Sequence, residues 1–113
     1  MSHRTVFHVP HEQRDARAAA LGNAANLLAD DTVDVEVAVV FNAGGIAAAL
    51  AGSPHAERVG QLAGAGVKLL LCGNTLAASG YDERSLAPGI EVVSSAIAEL
   101  TRRQADGYAY VRP

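Results

Sequence analysis

The chain has 113 residues, a formal net charge of −3 and one cysteine. One cysteine excludes an internal disulfide framework and a Cys-rich zinc site. The acidic balance, with Lys68 as the only lysine, argues against nucleic acid as a partner, and no apolar run approaches the roughly 20 residues of a membrane span. Residues 1–113 therefore read as one domain, expected to be cytoplasmic because Met1 to Thr5 leads into a strand without a secretory signal. Half of the residues are apolar, but 23 are alanine, so Val and Leu must supply the core while Ala-faced helices pack close to it.

Thr5 to Val9 has the β-branched character of a first strand, closed by Pro10. Gln13 to Ala29 follows as a helix with Ala16, Ala20, Ala24, Leu27 and Leu28 at three-to-four spacing. Val33 to Phe41 is the clearest strand; its alternation passes into a continuous apolar end, as in a strand covered on both faces. Asn42-Ala43-Gly44-Gly45 is a turn, and Ile46 to Ala51 a short helix apolar all round. Such a helix must be buried on every side, which a chain this short achieves with difficulty alone. A homo-oligomer with this segment at or near its interface is the expectation.

Ser53-Pro54 has the chemistry of a helix start, with a capping residue and proline in the first turn, and Gly64 and Gly66 that of its stop. Val67 to Cys72 is a third, buried strand, and Asn74 to Ser79 a short helix ended by Gly80. Tyr81 to Gly89 is polar and loop-like. Ile90 to Val93 is a fourth strand; Ser94 or Ser95 caps a last helix reaching Ala105, and Tyr108 to Val111 is a fifth, edge strand. Strands alternating with helices predict an α/β sandwich around a mostly parallel five-stranded sheet.

Open parallel sheets gather function at the carboxyl ends of their strands. Cys72 closes an apolar strand there, followed at once by Gly73, Asn74 and Thr75, which turn the chain into a helix. Free N–H groups at a helix start favour a thiolate, and Gly73 leaves room for a sulfur-bearing adduct beside the backbone. The alternative is a small buried hydrophobe at a strand end, a common place for cysteine. A phosphatase-type loop is excluded because Ala78 stands where its arginine belongs. Neither a dithiol motif, a Walker A loop nor G-x-G-x-x-G is present.

His8, at the end of the first strand, is a candidate hydrogen-bond partner for Cys72; His8, His11 and Cys72 together form a weaker metal-binding alternative, and no metal or cofactor is assigned. His3 and His55 read as surface residues. Asn42 with Gly44-Gly45 offers either a small nest of N–H groups for an anion or a plain turn. Asn23 and Asn26 are poor helix formers in mid-helix that ask for solvent, a neighbouring strand or a subunit as partner. Tyr81, Tyr108 and Tyr110 are candidates to line a pocket.

Several of these segments together resemble the DsrE/DsrF-like family. They are the first strand with His8, Asn23-x-x-Asn26-Leu27-Leu28, the strand Val35 to Val40 before Asn42, Gly66-Val67 into Leu71-Cys72-Gly73-Asn74-Thr75-Leu76, and Gln104 to Tyr110. The resemblance implies a three-layer α/β/α fold and assembly into trimers or hexamers. It implies sulfur carried as a persulfide on a cysteine at the end of the third strand, where Cys72 falls, and passed between protein donors and acceptors. Ala77-Ala78-Ser79-Gly80 keeps the alanine and glycine of the sulfur-relay members and lacks their arginine. The expected role is a sulfur carrier or sulfurtransferase with Cys72 and His8 as catalytic residues and Asn42, Gly44, Gly73, Asn74 and Thr75 around the ligand. The alternative is a non-catalytic homo-oligomer binding a small ligand or anion, with Cys72 structural.

Overall fold

A computed structural model describes residues 2–113. Its five strands are β1 (His3–Val9), β2 (Val35–Phe41), β3 (Lys68–Cys72), β4 (Ile90–Val93) and β5 (Ala109–Val111). The helices between them are α1 (Arg14–Ala29), α2 (Ile46–Ala49), α3 (Ala56–Gly64), α4 (Gly73–Ser79) and α5 (Ala96–Ala105). All pairings are parallel, in the order β4-β3-β2-β1-β5. The expected α/β sandwich is observed.

The chain steps outward from β1 to β4, then returns to place β5 on the free side of β1. Parallel crossovers are right-handed, so a reversal of direction along the sheet sends the connecting helix to the opposite face. Accordingly, α1 to α4 cover one face through Ala20, Leu21, Ala24, Ala48, Ala49, Val59, Leu62 and Leu76, packed on Phe7, Val39, Phe41, Leu69 and Leu71. Only α5 covers the other, through Ala96 and Leu100 against Val6, Ala38, Val40, Leu70 and Cys72. Phe41 is fully buried; burying such a side chain contributes about 1.5–3 kcal/mol.

Local differences from the expected pattern have packing reasons. On α1 the expected Ala20 and Ala24 are buried with Leu27 and Leu28 packed against the core, Arg17 and Leu21 widen that stripe, and Asn23 and Asn26 face solvent in the single chain. Ser53 accepts the His55 N–H and shapes a turn, so α3 begins only at Ala56. Tyr81 to Gly89 contains a 3-10 turn, Glu83–Ser85, and a bridge from Leu86 to Leu50. The segment expected to be helical over Ile46 to Ala51 is one turn, ended when Leu50 becomes extended. Ala48 and Ala49 are fully buried by the chain itself, so those two residues need no neighbouring subunit. His55, read as a surface residue, is buried; His3 is exposed.

Candidate functional site

Because side chains alternate along a strand, the β1–β2–β3 register sends His8, Asn42 and Cys72 toward the α5 face at the carboxyl end of the sheet. Cys72 ends β3 and is the N-cap of α4. Its thiol is a free, buried cysteine, 5% exposed. The neutral thiol makes no capping hydrogen bond to α4; the donors around it act on the thiolate. Burial pushes the Cys72 thiol up, but the N–H groups of Thr75, Ala96 and Asn74 and the Thr75 hydroxyl together outweigh it and hold the group below its ordinary value. Each of these is a neutral hydrogen-bond donor.

The Ala96 donor comes from the start of α5, which Ser95 caps by accepting the Ala98 N–H at 3.0 Å. Gly73 makes this approach feasible. A Cβ there would stand 2.7 Å from the Val93 carbonyl oxygen and 3.2 Å from that of Ser94. The room that glycine leaves is therefore filled by the β4–α5 backbone, rather than kept for an adduct as its sequence position had suggested.

A second set of contacts links the other strand ends. The Ala43 N–H donates to the Thr75 hydroxyl at 3.1 Å, which ties the turn after β2 to α4. Ala43 sits at φ 49°, the one non-glycine residue with positive φ among those described, a conformation kept only where its surroundings demand it. The Gly45 N–H donates to the Asn42 carbonyl at 2.8 Å. The N–H groups of Ala43 and Gly45 are thus both engaged within the chain, which leaves the Asn42–Gly45 segment a tied turn more than an anion nest. Gly44 and Gly45 permit close packing: a Cβ on Gly45 would lie 1.7 Å from the Val9 carbonyl oxygen, and one on Gly44 would lie 2.8 Å from Glu12 Cα.

His8 is 9% exposed, and both ring nitrogens are bonded. Nδ1 lies 2.6 Å from the Tyr110 hydroxyl and Nε2 lies 2.8 Å from Asn42 Oδ1. With the amide so oriented, Nε2–H donates to Asn42; in the neutral ring, which burial favours, Nδ1 accepts from the Tyr110 hydroxyl. Burial holds His8 below its ordinary value; the Asn42 bond opposes this, and the charges of Arg112 and His11 add to it. His8 therefore shares the sheet face of Cys72 but bonds to Tyr110 and Asn42. Two inter-strand spacings of about 4.8 Å separate β1 from β3.

His11 turns away, with Nε2 2.7 Å from the Pro113 carbonyl oxygen. Among the described residues no group of three or more His, Cys, Asp or Glu side chains is placed to hold a metal ion. Tyr108 packs under Arg103, and Tyr81 is exposed beside Ala47, Leu50 and Ser85. Sequence reasoning did not single out Ala43 or Ala96, whose contributions are backbone N–H groups that no side chain advertises. The pairing of His8 with Tyr110 had only one signal, the shared parity of alternating positions on β1 and β5.

A parallel α/β sheet with one cysteine at a strand end, facing two helix starts, defines the class. The model of the DsrE/DsrF-like family matches residues 5–113, and the chain belongs to that family. Over 99% of its length, and 100% of the other chain's, it is similar to the protein of unknown function MTH1491 from Methanobacterium thermoautotrophicum, at 37% identity and a TM-score of 0.93. It also shares the fold of the ychN protein from E. coli, with a TM-score of 0.83, 14% identity and full coverage of both chains. No curated protein matches the chain.

Proposed function

We propose that this protein is a sulfur-relay protein that carries sulfur as a persulfide on Cys72. Family membership supports the general role. The observation that carries the specific one is the convergence of donors from α4 and α5 on a strand-end sulfur held below its ordinary pKa. In the transfer step, the Cys72 thiolate attacks the outer sulfur of a donor persulfide, R–S–S–H. A new S–S bond forms at Cys72 as the donor's S–S bond breaks, and the donor leaves as the thiolate R–S⁻. The proton stays on the transferred sulfur or passes to the leaving thiolate, and no external oxidant is needed. The neutral donors around Cys72 would stabilise the anion before attack and the persulfide anion after it. His8, with Asn42 and Tyr110, would order the neighbouring strand ends.

Exposed Tyr81, Ile97, Tyr110 and Val111 support assembly with further copies of the chain, as trimers or hexamers, and donor and acceptor would be other proteins. Incubating the protein with a persulfide donor should add about 32 Da per chain, the mass of one sulfur atom, and Cys72→Ser should abolish that gain. Native protein that gains no such mass overturns the reading. The low exposure of Cys72 favours one alternative, a non-catalytic oligomer binding a small ligand or anion with Cys72 as packing. The rate of iodoacetamide labelling against pH separates the two. A carrier labels in the folded state with a midpoint below that of an ordinary thiol, whereas a structural cysteine labels only on unfolding.

A further inference from the structure

Arg17 is 8% exposed, and its guanidinium donates to neutral acceptors. Nη1 donates to the carbonyl oxygens of His11 at 3.2 Å and Glu12 at 2.7 Å. Nε donates to His55 Nε2 at 3.3 Å, across from the turn before α3. No salt bridge involves Arg17 among the described residues. A buried guanidinium without a counterion is costly to keep unless its donors are matched, so each of these acceptors matters.

The loop Arg17 grips is the one that Gly44 and Gly45 abut: His11 O and Glu12 Cα crowd the Cβ direction of Gly44, and Val9 O that of Gly45. One cation from α1 thus secures the β1–α1 loop, the turn after β2 and the turn before α3 against one another. The contact with His55 exists in one protonation state only. Nε2 accepts from Arg17 when it carries a lone pair; once protonated, it turns an N–H toward another N–H, and a cation toward a cation.

We infer that Arg17 and His55 form an acid-sensitive latch on the strand-end loops, closed while His55 is neutral and released when it is protonated. No part of this depends on sulfur chemistry at Cys72. The groups acting on His55 from α1 are Arg17 and Arg14, both cations. On its own side, Glu57 and Arg58 follow on α3 and are exposed; from the β1–α1 loop, His11 and Glu12 turn carbonyls to Arg17. Burial, then Arg17, then Arg14 hold His55 below its ordinary value of 6.5. As pH falls through that value the unfolded chain takes up its proton before the folded one. The latch's contribution is therefore complete above pH 6.5 and lost progressively below it.

The test is hydrogen exchange on the full-length protein, followed by mass spectrometry of the segment 10–17 and corrected for the intrinsic pH dependence of exchange. Between pH about 7.5 and about 5, exchange of this segment should accelerate about tenfold relative to segments within β2 and β3. His55→Gln keeps an amide oxygen to accept from Arg17 and does not titrate, so it should flatten the response. A flat wild-type profile, or wild type and His55→Gln running parallel, overturns the latch. Should His55→Gln fail to fold, an NMR titration of the wild type decides. An Arg17 Nε–H resonance that persists through His55 protonation refutes the latch, and one lost in step with it supports it.

Discussion

At the carboxyl end of the sheet two helices begin beside one sulfur; the amino end of the same strands holds the larger cavity. That cavity, about 680 Å³, is lined by Ser2, His3, Arg4, Thr5, Val33, Asp106, Gly107 and Ala109, and of its polar residues only Thr5 is buried. The groove at the carboxyl end, bounded by Glu12, Gly44, Ile46, Thr75 and Ser79, is about 370 Å³. Yet the carboxyl end has the buried imidazole, the strained Ala43, the interlocked glycines and the thiol held below its ordinary value. Volume and chemistry thus point to opposite ends of the sheet. In a parallel sheet the helices that follow the strands start at the carboxyl end, so unpaired N–H groups collect there.

Substitutions at the two ends sharpen this contrast. The largest effect belongs to Gly45→Ala. Its Cβ would have to displace the Val9 carbonyl, so a loss of several kcal/mol in urea unfolding is expected. A change below about 1 kcal/mol would show that the loops are not interlocked. Next, Thr75→Val removes a hydroxyl beside Cys72 at nearly constant volume. The iodoacetamide labelling midpoint should move to higher pH, while Thr75→Ser stays near wild type. An unmoved midpoint would assign the effect to backbone donors alone. The smallest change belongs to the amino end. Glu36→Gln breaks an exposed pair with Arg4 (3.4 Å), and stability should shift by less than about 1 kcal/mol, with no effect on thiol labelling. A labelling change there would break the separation of the two ends.

Much of the fold was legible because it is written locally. The alternation of Val35, Val37 and Val39 before Phe41 marks β2, and Cys72 at a strand end before Gly73-Asn74-Thr75 is visible without any tertiary contact. What surrounds the sulfur was only half legible. Asn74 and Thr75 follow Cys72 in sequence, but Ala96 reaches it from α5 and Ala43 ties to Thr75 across 32 positions. Isolated histidines were the hardest to place. His8 looked like a partner for Cys72 and bonds to Asn42 and Tyr110; His55 looked like a surface residue and lies buried on Arg17.

Hydrophobic periodicity and turn chemistry determined the elements of this protein, their order and the parallel α/β class, because each depends on neighbours within about one turn or one strand. Tertiary structure decided which elements meet. The chain reverses after β4, so α5 alone covers the second face and brings its first N–H to Cys72, while β5 returns to β1 and sets Tyr110 on His8, 102 residues away. Parallel pairing joins strands across a helical crossover and not a tight turn, and no local pattern names those partners. The single cysteine marked the end of the sheet to examine; packing supplied the donors that act on its charge.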